Sequence, residues 1–506
     1  MIRLLLLALL CGSCAHAQSN PTCGHLNDKN INVAAHYASS SEAHDDGSQL
    51  GPPSNIGGTI TDSTYGCTIK RLTKSAITPG NGHFCNHEYA NMSAVNENDT
   101  LALISCNGFF IIDMSGNIVV PIGQIHTGGS EGGRWDPTNP YVFYYWNSGG
   151  TPNALLKATI PANTAGCAPA CNPTIVTLHT FSEYSTIDLG GGEGDMFSPD
   201  HLVLDGTRTS NGSTDIFIYT ISTDTKGPVY NFTQSFDNIQ ITGSNQMVVN
   251  WGSSHNQFPY GSCVSGPCLT GFELFGAPCN GVGCSPANAS YVSHLFDVAT
   301  HSGETRDNSG NDLLVTFDVS PIVCANSGVV TVEISTAVAT CIVNFMPWDG
   351  DAHVTGTKNL TGNNWIFVSG EDGSGFGVPY AGAASYPLNA NWNLPTNSQN
   401  FPTASGQWGL YTNDSYVVNP SGSSVYRLYQ SRSRPGGSDY WKQSRASISR
   451  DGAYIIFDSD FGLGQNYDSV TDYIDVYEVA TGITNSSADL EPAAPLPPSN
   501  LKAVVN

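Results

Sequence analysis

Charge is scarce in this chain. Only 12% of its 506 residues are Asp, Glu, Lys or Arg, and 18 cations stand against 42 acids. Such a surface repels nucleic acid and anionic lipid, and its plainest use is to keep a protein soluble. Few charged helix formers, together with 54 Gly and 29 Pro, exclude an all-helical bundle and favour short strands joined by turns. Past the first 17 residues no apolar run reaches the roughly 20 residues that a spanning helix needs, so no membrane span is expected. Three catalytic signatures are missing as well. There is no Gly-x-Ser-x-Gly elbow in a strand-to-helix context and no His-Glu-x-x-His. The run from Gly190 to Asp195 lacks the Lys-Ser/Thr of a phosphate loop, which sets a nucleotide site aside.

What is present begins with Met1-Ile2-Arg3, an apolar stretch over residues 4–10, and Ala15-His16-Ala17. This reads as a signal peptide over residues 1–17 and predicts a secreted or periplasmic protein. Fourteen cysteines occur, and twelve remain once Cys11 and Cys14 leave with that segment. An even number in an exported chain predicts disulfides rather than zinc. Cys167/Cys171, Cys263/Cys268 and Cys279/Cys284 read as clasps on loops, and Cys324/Cys341 as a staple between neighbouring strands. Residues 18–62 read as an N-terminal arm, 63–482 as the globular body, and 483–506 as a tail that carries a stiff Pro-rich stretch.

Within the body one unit recurs: a polar turn of Asp, Asn or Ser with Gly or Pro, a β-rich run, then a second β-rich run. It appears as Asn96-Glu97-Asn98-Asp99 before Leu101-Ala102-Leu103-Ile104, and as Asp136-Pro137-Thr138-Asn139-Pro140 before Tyr141-Val142-Phe143. It returns as Ser198-Pro199-Asp200 before Leu202-Val203-Leu204, and as Ser449-Arg450-Asp451-Gly452 before Tyr454-Ile455-Ile456-Phe457. A small sheet that is apolar on both faces cannot stand alone, and packing such sheets about an axis buries both faces. The expectation is an all-β chain forming a β-propeller of seven blades, with six or eight as alternatives and a β-sandwich pair as the rival architecture.

The Ser-x-Asp-Gly turn and its β-run resemble the TolB-like or WD-repeat-like propeller unit. Thr68-Ile69-Lys70-Arg71-Leu72-Thr73 and Ile455-Ile456-Phe457-Asp458-Ser459-Asp460-Phe461 resemble the first and last blades of oligogalacturonate lyase, a propeller polysaccharide lyase. That resemblance implies β-elimination on an acidic, uronate-containing chain. The family binds manganese through His residues and a Gln. His353, in Asp351-Ala352-His353-Val354, precedes a Gly-Asn turn as a family His does. The family's Gln-x-x-His-x-His run is not matched, because the stretch here reads Tyr440-Trp441-Lys442-Gln443-Ser444-Arg445. No cofactor is therefore expected, and a lyase would rely on Arg and Lys instead.

In a propeller the segments entering the innermost strands converge on one rim of the channel, far apart in sequence though they are. Position alone nominates His87 and Tyr89, Arg134, Glu193 and Asp195, Gln240, His353, and then Tyr440, Lys442, Gln443 and Arg445. β-elimination needs a cation for the carboxylate, a base for the C5 proton and an acid for the leaving oxygen. Arg134 and Arg445 suit the first role, His87 or His353 the second, and Tyr89 or Tyr440 the third. Glu193, Gln240, Lys442 and Gln443 are nominated to bind substrate, joined by Arg427 and Arg432 from the densest cationic stretch. The expected partner is a polysaccharide or glycan, with no nucleic acid. A non-catalytic propeller that binds protein or glycan at the cell envelope is the alternative. Oligomeric state is open.

Overall fold

The computed structural model describes residues 19–26, 53–62, 65–75, 85–87, 89–125, 132–147, 150–163, 171–191, 194–251, 271–278, 289–297, 300–318, 322–324, 328–344, 353–359, 364–370, 414–431, 444–459, 461 and 474–484. Among them every regular element is a strand, and no helix is long and apolar enough to cross a membrane.

The strands form seven antiparallel sheets of four or five strands each. The chain is a seven-bladed β-propeller. Blade 1 runs outward from Asn86–His87 through Leu101–Ser105 and Phe109–Asp113 to Ile118–Val120. Blade 2 starts at Arg134–Trp135, blade 4 at Asn238–Ile241, blade 5 at Ser302–Arg306, blade 6 at His353–Gly356 and blade 7 at Ser447–Ile448. Blade 3 comprises Tyr184–Asp188, His201–Arg208 and Thr214–Thr220, with two short strands on its outer side.

Period-two alternation is what builds the ring. In the second strand of blade 1, Leu101 and Leu103 pack towards blade 2 with Trp135 and Phe143. Ala102 and Ile104 pack the other way, against Ile456 and Val476 of blade 7. Successive side chains of a strand take opposite faces, so an unbroken apolar run serves two neighbours at once. Each of the seven apolar clusters fills the space between two adjacent blades, including the seam between the last and the first.

The recurring polar turn has a specific task. Asn96 Oδ1 accepts from the backbone N–H of Thr100 at 2.8 Å and of Leu101 at 2.9 Å. Asp136 Oδ1 accepts from Thr138 and Asn139 N–H at 2.9 and 3.0 Å, and Ser449 Oγ from Tyr454 N–H at 3.0 Å. These side chains satisfy backbone donors that the reversal would leave unpaired. Gly452 supplies the left-handed backbone of its turn, at φ 87°.

Blade 7 is a composite. Its inner strands, Tyr454–Ser459 and Asp475–Ala480, come late in the chain, whereas Thr68–Arg71 and Thr59–Thr61 come early, with Ile69 opposite Val479. Residues 19–26 then lie over the junction of blades 6 and 7. Thr22 N–H donates to Thr481 O at 2.9 Å, Ser19 N–H to Thr484 O at 3.1 Å, and His25–Leu26 pairs with the outer strand of blade 6. Part of the expected arm is thus built into the ring.

Disulfides join Cys23–Cys67, Cys85–Cys106 and Cys324–Cys341, the last being the expected staple. Cys171 is disulfide-bonded too. Such bonds form and persist in oxidising compartments, which fits an extracellular or periplasmic location. The other expected clasps, the signal segment and most of the tail lie outside the described residues.

Candidate functional site at the ring axis

The inner strands all start at one rim, here the upper one. Blade 1 departs from its neighbours just below that rim. Its residues 89–93 turn into the axis, with Met92 N–H donating to Tyr89 O at 3.0 Å. Asn91 Nδ2 donates to Ser302 O of blade 5 at 3.4 Å, and Thr355 Oγ1 of blade 6 donates to Asn91 O at 3.5 Å. The inward turn carries the Tyr89 hydroxyl to 3.0 Å from His353 Nε2 and 3.4 Å from His301 Nδ1. The two imidazoles meet edge to face with centroids 3.9 Å apart. One phenol and two imidazoles from blades 1, 5 and 6 thus form a single buried cluster. His301 escaped the sequence reading. The signal was there, because Thr300-His301 enters an inner strand as Ala352-His353 does.

Below the cluster the axis is closed by charge. Asp195 Oδ1 accepts from Arg450 Nη2 of blade 7 at 2.8 Å, Lys358 Nζ of blade 6 lies 2.8 Å from Asp195 Oδ2, and Arg450 Nη1 donates to Met196 O at 2.6 Å. Burial alone would push the Asp195 carboxyl up, but Arg450 and Lys358 outweigh it and the group is held below the usual carboxylate range. Burial, aided by Arg450, lowers Lys358 despite Asp195. Beside them Glu304 is wholly buried, with neither carboxyl oxygen hydrogen-bonded among the described residues. Burial and Asp312 push its carboxyl well above the usual range. At the lower rim, burial and the neighbouring Asp451 carboxylate push Asp99 up to about 9.

A third group occupies the seam of blades 7 and 1. His87 Nδ1 lies 2.9 Å from Asp458 Oδ1, and His87 Nε2 lies 2.9 Å from Arg445 O. Arg445 has a left-handed backbone at φ 39°, and its Nη2 is 3.6 Å from Asp458 Oδ2. With the Asn86 amide oxygen turned towards it, the same Nη2 donates there at 3.0 Å.

The nominated residues therefore divide. Tyr89 and His353 share the axial cluster, while His87 and Arg445 share the seam. His87 cannot serve as the base, because both its nitrogens are engaged and the ring is fully enclosed. Arg134 is buried and donates to the backbone oxygens of Gly194, Gly133 and Leu189, bracing the loop at the start of blade 3. Gln240 Nε2 donates to Ser302 O at 2.8 Å and Ser302 Oγ at 3.1 Å, tying blade 4 to blade 5. Arg427 sits on the outer strand of blade 6, away from the axis. It is fully buried, and its Nη2 donates to Tyr65 OH at 3.2 Å. Glu193, Arg432, Tyr440, Lys442 and Gln443 lie outside the described residues.

No known family profile matches the chain, and no curated protein matches it. Solved structures do. Oligogalacturonate lyase from Vibrio parahaemolyticus superposes with a TM-score of 0.52 at 14% identity, over 83% of this chain and 96% of that one. An oligogalacturonate lyase in complex with manganese gives 0.49 at 12% identity, over 86% and 97%. TolB from Acinetobacter baumannii gives 0.30 at 12%, over 68% and 64%. The likeness is one of fold.

The oligogalacturonate lyase in complex with manganese raises the question of a metal here, and the run Tyr440-Trp441-Lys442-Gln443 lies outside the described residues. Among the described residues no three His, Cys, Asp or Glu side chains come close enough together to hold a metal.

Proposed function

We propose that this propeller binds an acidic polysaccharide at the upper rim and cleaves it by β-elimination. What carries the reading is the Tyr89 hydroxyl lying between two imidazoles, 3.0 Å from His353 Nε2 and 3.4 Å from His301 Nδ1. Such a set can take up one proton and deliver another. A neutral imidazole of the pair removes the proton at C5 of a uronate. The electron pair forms the C4–C5 double bond, the C4–O bond breaks, and the departing oxygen takes a proton from the phenol. The imidazolium then returns its proton to the phenolate. No metal enters the scheme. The chain would act after export, whether free or in a periplasm.

The test is the ultraviolet absorbance of unsaturated products during incubation with polygalacturonate, alginate, glucuronan and ulvan. Activity on one of them should fall at least about 100-fold in Tyr89→Phe, the usual scale for losing a general acid, with a nearly unchanged melting midpoint. Burial of all three side chains, His353 at 1% exposure, favours a second reading in which the cluster only shapes a binding mouth. Retained glycan binding without product from any of the four polymers selects that alternative.

A further inference from the structure

Blade 2 ends in a strand that the ring leaves open. Thr174–Thr180 pairs on one side with Ala154–Thr159, and among the described residues its backbone makes no bond on the other side. Thr174, Ile175, Val176, Thr177 and Thr180 are exposed, and Leu178 and His179 are half-buried. Ile175 at 42% and Val176 at 50% exposure are large apolar side chains left in water. An edge of this kind presents N–H and C=O groups at the spacing that another strand requires.

Elsewhere the chain shields its edges. His25–Leu26 pairs with the outer strand of blade 6, and blade 7 closes on the three-residue strand Thr59–Thr61. At the edge of blade 1, Cys171 N–H donates to Val119 O at 2.6 Å. The outer strand of blade 5, Val338–Val343, sinks into the core at Ile342 and Val343, and that of blade 4, Tyr291–Phe296, at Leu295 and Phe296. Exposed edges are otherwise guarded by Lys, Pro or a bulge. Thr174–Thr180 contains neither Lys nor Pro. Its one register shift falls beyond Thr177, where Leu156 gives way to Leu155 as partner, so Thr174 to Thr177 run regularly.

The chain carries a formal charge of −24, so two copies repel each other over most of their surface and can approach where charge is missing. None of the seven residues is Asp, Glu, Lys or Arg. The two charges beside the strand have opposite signs: Lys157 is paired with Val176, and Asp224 Oδ1 lies 2.7 Å from His179 Nδ1. Thr174, Ile175, Val176 and Thr177 are all β-branched, a type well suited to pairing across strands. A strand set antiparallel to its own copy about a two-fold axis uses one patch for both partners. We infer that Thr174–Thr177 is a self-association edge, through which blade 2 of one molecule pairs antiparallel with blade 2 of a second copy. The contact lies on the circumference, away from the axis, and it stands apart from the glycan reading.

So short a pairing falls below the roughly 800 Å² per partner of a standard interface, so exchange between one copy and two is expected over about 1–100 µM protein. Sedimentation velocity of the intact protein across that range should show the mass doubling. Val176→Lys places a charge on the edge at an exposed position, and it should hold the mass at one copy with an unchanged melting midpoint. Amide hydrogen exchange at Thr174 to Thr177 should slow as the wild-type concentration rises, and should not in the variant. A single-copy mass throughout, or a doubling that survives Val176→Lys, overturns the inference. So does a doubling that leaves exchange at these amides unchanged. Protection of the same amides by a different chain, without doubling, overturns self-pairing as well and assigns the edge to a foreign strand.

Discussion

Arginine 134 shows how one side chain is assigned a role by its surroundings. A surface-facing Arg is available to a ligand, but this one spends its donors on three backbone oxygens of its own chain. Arg134→Ala should therefore destabilise the fold by at least about 1.5–3 kcal/mol, the scale for a hydrogen bond made by a charged group, as read by urea denaturation. A variant with unchanged stability and lost turnover would restore the ligand role. Glu304 gives a prediction of opposite flavour. Its folded carboxyl titrates well above 4.5, so the native state holds a proton that the unfolded chain releases earlier. Stability from this group is complete below the unfolded value and is lost as pH climbs towards the folded one. Glu304→Gln should flatten that decline in melting midpoint, whereas an identical pH profile in the variant would show that Glu304 does not contribute it.

At the scale of the strand and turn, the sequence spoke most clearly. Ser449-Arg450-Asp451-Gly452 announces a reversal because each residue type does something no neutral substitute does. Ser449→Ala removes the acceptor for Tyr454 N–H and should cost about 1 kcal/mol, measurable as a lowered denaturation midpoint without a change in slope. Apolar runs such as Ile455–Phe457 were equally legible, since a strand wedged between two sheets must be apolar on both sides. Legibility failed where contacts cross the axis. Asp195, Lys358 and Arg450 are separated by 92 residues or more, and nothing local in any of them signals the other two. His301 is hidden for a different reason: the turn that follows it, Asp307-Asn308-Ser309-Gly310, departs from the Ser-x-Asp-Gly form that marks the clearest blade. The surroundings of Arg134 and Arg427 were not legible, because sequence gives charge and position along a strand but not what the guanidinium meets.

On the scale of the whole molecule, the axis is not an open tube. The inward turn of blade 1 and the Asp195–Lys358–Arg450 bridge occupy it, so a glycan bound at the upper rim would not thread through the ring. The junction of blades 6 and 7 is held differently, by the segment over residues 19–26 and its Cys23–Cys67 bond. Cys23→Ser should lower stability by about 2–4 kcal/mol, assessed by thermal denaturation with and without reductant; equal sensitivity to reductant in wild type and variant would place the effect at another disulfide. The composite blade also imposes an order in time. While a ribosome is still making the chain, the two early strands of blade 7 can pair only with each other, and their inner partner must wait until some 400 further residues have followed, the span from Ile69 to Val479. A half-finished molecule is thus a spiral with two exposed ends, and the Cys23–Cys67 tie, which joins two early residues, can secure only the first of them until the last strand arrives.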